Sequence, residues 1–128
     1  MTHPTFHADS SVRLWGGKPD DYLAIHDWLD ATKECFADFR HRALRHHAQG
    51  IFEAERLFGH TIINSDGRQV PVRYIAEQHI KEDCGGRIPS VADWLTQLKP
   101  APWMSRGYKL DQPKLKVADL VTKKEVAL

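Results

Sequence analysis

The chemistry this chain can do turns on histidine. Eight histidines occur in the sequence, and five of them fall between His41 and His79. Imidazole titrates near neutrality and offers a nitrogen lone pair, so it suits proton transfer or metal ligation. The densest stretch is Asp38-Phe39-Arg40-His41-Arg42-Ala43-Leu44-Arg45-His46-His47. Read as a helix, residues three or four apart share a face. That sets Asp38 beside His41 or Arg42, and Arg42 beside His46. A second cluster is Glu77-Gln78-His79, with Asp83 one turn later. His79 and Asp83 share a face, whereas Glu77 lies about 160° away around the helix.

If His41 or His47 on one helix faces His79 on another, two nitrogens and one carboxylate meet between helices. That is the minimum for a zinc or non-haem iron site, and bundle interiors are a usual place for one. The expected ligands are His41, His47, His79 and Asp83, and the expected ion is divalent, zinc foremost. With one coordination position open, a bound water becomes acidic enough to act as a nucleophile. Glu77 is then the first candidate for a general base in a metal-dependent hydrolase. No His-Glu-x-x-His, Cys-x-x-Cys or Glu-x-x-His spacing accompanies these residues. A histidine on an apolar stripe, such as His47, is more often a hydrogen-bonded core residue than a ligand.

A different reading uses the cations. Arg40, Arg42, Arg45 and His46 form a local basic patch, and arginine grips phosphate through two parallel hydrogen bonds. Asp38, Glu53 and Glu55 balance that patch. His26-Asp27 invites comparison with the His-Asp pair of metal phosphohydrolases, but adjacent residues of a helix diverge by about 100°. Cys35 and Cys84 have no ligand-like spacing and read as small apolar residues.

The elements that must position these groups are mostly helical. Lys18-Pro19-Asp20-Asp21 reads as a helix entry, with proline near the first position and two acids at the positive dipole end. Tyr22, Ile25, His26, Trp28 and Leu29 follow with helical spacing, and Asp30 or Thr32 suggests a break near residue 30. From Ala31 to Phe58 the pattern reads as one long helix with a stripe through Phe36, Ala43, Leu44, His47, Ile51, Ala54 and Phe58. Gly50 marks a kink or a close backbone approach in it, and Gly59 suits its end. Thr61–Asn64 and Arg68–Val72, joined through Ser65-Asp66-Gly67, read as a short hairpin. Val72 to Cys84 is again helical. Ser90-Val91-Ala92-Asp93 resembles a capping box.

The chain has 128 residues, a formal net charge of +1 and 41% apolar residues. The length suits one domain. Near-neutral charge argues against a generally basic nucleic-acid coat. No stretch approaches a membrane span, and the N-terminal residues lack the pattern of a signal peptide. Two cysteines cannot build a disulfide scaffold, so the context reads as cytoplasmic. The expected architecture is mainly α: a small helical domain with one short β-hairpin and an extended C-terminal tail. Residues 1–17 read as irregular, 18–104 as the helical domain and 105–128 as a basic tail.

Several blocks are distinctive as a set: Trp15-Gly16-Gly17-Lys18-Pro19-Asp20-Asp21-Tyr22, Phe39 to His47, Val70 to His79, Asp93-Trp94-Leu95 and Pro102-Trp103-Met104. Together they resemble a family of short bacterial and tailed-phage proteins known as a domain of unknown function. The resemblance covers about residues 7–104 and implies a cytoplasmic or phage-encoded protein, in the host cytoplasm or virion, without assigning an activity. It leaves open a non-enzymatic interaction or assembly module. In that module the Arg/His patch and the C-terminal tail, with Trp103 and Met104, dock on a protein partner or a second copy.

Overall fold

The computed structural model describes residues 3–108. Its main unit extends to Leu98, and a second unit begins at Lys99. The main unit is mainly helical with one two-stranded hairpin, as expected. Among the described residues no helix is long and apolar enough to cross a membrane.

Helix α1 spans Pro4–Trp15, where the sequence pattern suggests irregular chain. Its entry is chemically sound: the His3 ring accepts from the Thr5 N–H and proline occupies the first turn. Periodicity hides it because three of its four buried residues are polar. His7, Ser10 and Ser11 point inward beside Ala8. Gly16 ends the helix at φ 80°, a conformation that favours glycine.

Helix α2 (Asp20–Asp30) follows and buries Tyr22, Ile25, His26, Leu29 and Asp30. The expected break is present as a 3₁₀ turn over Ala31–Glu34. The long helix expected over Ala31–Phe58 is instead several short pieces. A second 3₁₀ turn covers Phe39–His41 and is capped by Asp38, which accepts from the Arg40 N–H. One helical turn, α3, spans Arg42–Arg45. His46 and His47 then leave helical geometry, with His47 extended at φ −159° and ψ 172°. Helix α4 restarts at Ala48 and runs to Phe58. The apolar stripe misleads because it joins two helices: Ile51 and Ala54 are buried, whereas Phe36 and Leu44 are exposed. Gly50 marks the junction. A Cβ there would overlap the backbone carbonyl of Arg45.

Strands β1 (Thr61–Ile63) and β2 (Gln69–Pro71) pair antiparallel, with Ile62 opposite Val70. Buried Asn64 ties the hairpin to the rest. Its amide nitrogen donates to the Trp15 carbonyl and the Tyr22 hydroxyl, while its oxygen accepts from the Asp66 and Arg68 N–H groups. Helix α5 (Val72–Asp83) packs against α1, α2 and α4 and is the centre of the unit. Val70, Val72, Ile75, Ala76 and Ile80 join Ala8, Tyr22, Ile25, Leu29, Ile51 and Ala54 in the core. Helix α6 (Val91–Leu95) opens on the capping box expected at Ser90 and Asp93.

In the second unit a 3₁₀ turn spans Pro102–Ser105. The basic tail expected as a docking element lies, from residue 109 onward, outside the described residues.

Candidate metal centre

Three helices each turn a pair of polar residues, four apart, into the interior. These are His7 and Ser11 on α1, His26 and Asp30 on α2, and His79 and Asp83 on α5. Residues at i and i+4 lie one above the other on a helix face, so each pair enters the core together. The turn after α3 adds His46, fully buried.

Four donor atoms converge. His79 Nε2 is 3.2 Å from Asp30 Oδ1 and 3.2 Å from Asp83 Oδ2. His46 Nε2 is 2.9 Å from Asp83 Oδ2 and 3.7 Å from Asp30 Oδ1. One ligand atom from each of Asp30, His46, His79 and Asp83 lies within 4.8 Å of all the others. Around an ion with bonds of about 2.1 Å, neighbouring ligand atoms stand about 3.0 Å apart in an octahedron and about 3.4 Å in a tetrahedron. The four imidazole–carboxylate separations, 2.9–3.7 Å, are of that size. Two carboxylates and two neutral imidazoles also balance a divalent charge.

A chain of hydrogen bonds sets the direction in which His79 points its lone pair. The Gln78 amide nitrogen donates to the His7 carbonyl (2.9 Å) and to Glu82 Oε1 (2.6 Å), which fixes the amide orientation. Its oxygen therefore accepts from the Ser11 hydroxyl at 2.5 Å. The Ser11 oxygen is left to accept from His26 Nε2, 2.8 Å away. His26 then has only a lone pair at Nδ1, and it accepts from His79 Nδ1 at 2.9 Å. The proton of neutral His79 is thus held at Nδ1, and Nε2 faces Asp30 and Asp83. Such outer partners orient and tune metal-binding imidazoles.

The electrostatics agree with this order. Burial holds His26 far below its ordinary value, at about 2, with the His79 and His7 charges adding to the effect. Burial likewise lowers His46 to about 4, against the opposing pull of Asp83. Both rings are neutral at physiological pH. Burial opposes a charge on His79 too, yet hydrogen bonds to Asp30 and Asp83 raise its pKa above the ordinary value. Burial disfavours ionised Asp83, but the hydrogen bond to His46 and the close approach of His7 and His79 outweigh that and keep it ionised. Asp30 behaves in the same way, with His79 as the largest stabilising partner.

The network is also where hydrogen bonding is incomplete. Among the described residues, the buried side-chain atoms without a hydrogen-bond partner are His7 Nε2, Asp30 Oδ2, His41 Nε2, Arg42 Nε, His46 Nδ1 and Asp83 Oδ1. His7 Nε2 and Asp83 Oδ1 stand 3.3 Å apart without the geometry of a hydrogen bond. Purely structural polar cores satisfy their members. The orphans here concentrate around one cluster.

Of the residues singled out in the sequence, His79 and Asp83 lie in the cluster. His41 sits at its edge, with its ring edge-on to His46 and Nδ1 bonded to Thr32 Oγ1 at 2.8 Å. His47 does not join, because both of its nitrogens are engaged. Nδ1 accepts from the Gly50 N–H to cap α4, and Nε2 donates to the Leu44 carbonyl. Glu77 lies on the other side of α5, lining a shallow groove with Tyr74 and His60, and is not placed to act as a base here. The expected patch of Arg40, Arg42, Arg45 and His46 is dispersed. Arg40 pairs with Asp38, Arg45 stacks on Trp28, Arg42 reaches Asp83 and His46 is buried in the cluster. Asp27 is exposed while His26 is buried, so that adjacent pair does not act together.

His7, His26, Asp30 and His46 are the residues of the cluster that sequence reasoning did not assign to a metal centre; it places His46 in the anion-binding patch instead. A signal for two of them was present: His-x-x-x-Asp occurs at His26–Asp30 and again at His79–Asp83. A model of the family described as a domain of unknown function, DUF6915, matches residues 2–104. The chain belongs to this family. Comparison with curated proteins and with solved structures gave no match. The matched DUF6915 region contains every residue of the cluster.

Proposed function

We propose that this DUF6915 domain binds one divalent transition metal through Asp30, His46, His79 and Asp83, and that the centre serves hydrolysis. The observation that carries the reading is the convergence of those four donor atoms within 4.8 Å inside the fold. The hydrogen-bonded chain behind His79 supports it, since it aims Nε2 at the carboxylates. Mixed imidazole and carboxylate ligation suits zinc above magnesium or calcium. When bound, such an ion brings the pKa of an attached water toward neutrality. The protein's part is to hold His79 in one tautomer, keep both carboxylates ionised and exclude bulk water.

Metal analysis of untagged protein tests the reading. One equivalent of zinc or a similar ion per chain is expected. It should be lost in Asp30→Asn and Asp83→Asn, which preserve shape and remove charge. Protein that stays folded by circular dichroism and takes up no divalent ion would leave the cluster as a proton-sharing structural core.

A further inference from the structure

Beside the centre lies a cleft of about 290 Å³, reached between α3, the end of α5 and α6. Asp83, Arg42, Arg87, Asp93 and Trp94 line it, so Asp83 belongs both to the cluster and to the cleft wall. Its two acids are already committed. Asp83 is bonded to His46 and lies against His79, and Asp93 accepts the Ser90 N–H within the capping box. Its two arginines keep free donors. Arg42 pairs with Asp83, donating from Nη1 to its carbonyl and standing 3.7 Å from its carboxylate, yet its Nε–H is buried with no partner. Arg87 is exposed, and its guanidinium makes no hydrogen bond or ion pair among the described residues. The uncommitted charge is therefore cationic.

The wall is firmly held. Trp94 Nε1 donates to the carbonyl of His46 at 2.9 Å, and the Ala48 N–H donates to the Pro89 carbonyl at 2.9 Å. The indole is thus coupled directly to a residue of the centre. A volume of this size is at the small end of ligand pockets, which begin at about 300 Å³.

We infer that this cleft binds a small phosphate monoester, its phosphate between Arg42, Arg87 and the metal centre and its organic group against Trp94. The inference rests on the metal reading for one of three positive partners. A dianionic phosphate offers enough oxygens to meet two guanidinium forks and an ion together. A flat organic group gains contact with the indole.

Calorimetric titration of the zinc-loaded full chain with phenyl phosphate, and separately with inorganic phosphate, tests it, with zinc content measured on the same samples. Phenyl phosphate should bind more tightly than inorganic phosphate. Arg87→Ala should weaken phenyl phosphate by about tenfold with zinc content unchanged. Trp94→Leu should remove the preference for the phenyl ester, and a preference that persists overturns the role given to Trp94. Zinc-loaded protein that does not bind phenyl phosphate, or binds it equally in Arg87→Ala, overturns the cleft and leaves the metal reading standing. Arg87-dependent binding by protein that takes up no zinc supports the cleft and overturns the metal reading.

Discussion

The His26 and His79 rings meet through their Nδ1 atoms, 2.9 Å apart, on two helices that pack together in the core, with one proton between them. The proton belongs to His79, because Ser11 already accepts from the far side of His26. Ser11→Ala breaks this chain without touching a proposed ligand. Metal affinity is expected to fall about ten- to hundredfold, the usual effect of losing an outer hydrogen bond. Competition titration against a chelator of known affinity reads the change. Unaltered affinity would mean that the chain is packing alone.

His47 and His46 are adjacent but have opposite roles. His47 caps α4 through the Gly50 N–H, so His47→Ala should cost about 1 kcal/mol of stability, typical of a lost cap. Metal stoichiometry should be unchanged. Urea unfolding together with metal analysis separates the two effects. Loss of the ion in His47→Ala with the fold intact would contradict the assignment of ligands.

The long helix expected from Ala31 to Phe58 breaks at this place as well as at the 3₁₀ turns before α3. The sequence shows apolar residues at helical intervals, but periodicity cannot reveal that His47 caps a new helix with its ring. Gly50→Ala forces a methyl against the Arg45 carbonyl. It should destabilise the fold by about 1–3 kcal/mol, although alanine favours helix. A thermal midpoint that rises in this variant would restore the continuous helix.

Protonation of the metal-free protein follows from the neutral histidines. His26 and His46 have folded values of about 2 and about 4, against 6.5 for an ordinary histidine. Between those values the unfolded chain holds protons that the folded one does not, so their contribution is complete above 6.5 and lost as pH falls. His79 is raised, so its contribution is complete below its unfolded value of 6.5 and is lost as pH rises through its folded value. It cannot offset the losses at lower pH. Urea midpoints of metal-free protein should therefore fall from about pH 7 to about pH 5. A flat profile would show that His26 and His46 are not buried neutral. Metal must displace the proton from His79 Nε2, so affinity should rise with pH over the same range.

Much of the scaffold is legible in the sequence, and the reasons are local. Helices α2, α5 and α6 announce themselves through proline and acids, apolar spacing and a capping box, and the hairpin through Ser65-Asp66-Gly67. Helix α1 is hidden because it buries His7, Ser10 and Ser11, so the residues that build the site erase the apolar pattern that would reveal the helix. His79 and Asp83 are visible as a pair. Their partners Asp30 and His46 are fixed only when α2 and the turn after α3 pack against α5, which no short-range spacing encodes.

The most direct measurement is zinc-edge X-ray absorption on the zinc-loaded full chain. Two imidazole nitrogens and carboxylate oxygens at about 2.0–2.2 Å are expected, with the imidazole signal reduced in His79→Gln. A spectrum of oxygen ligands only, of sulfur from Cys35 or Cys84, or one unchanged by that substitution would contradict the centre described here.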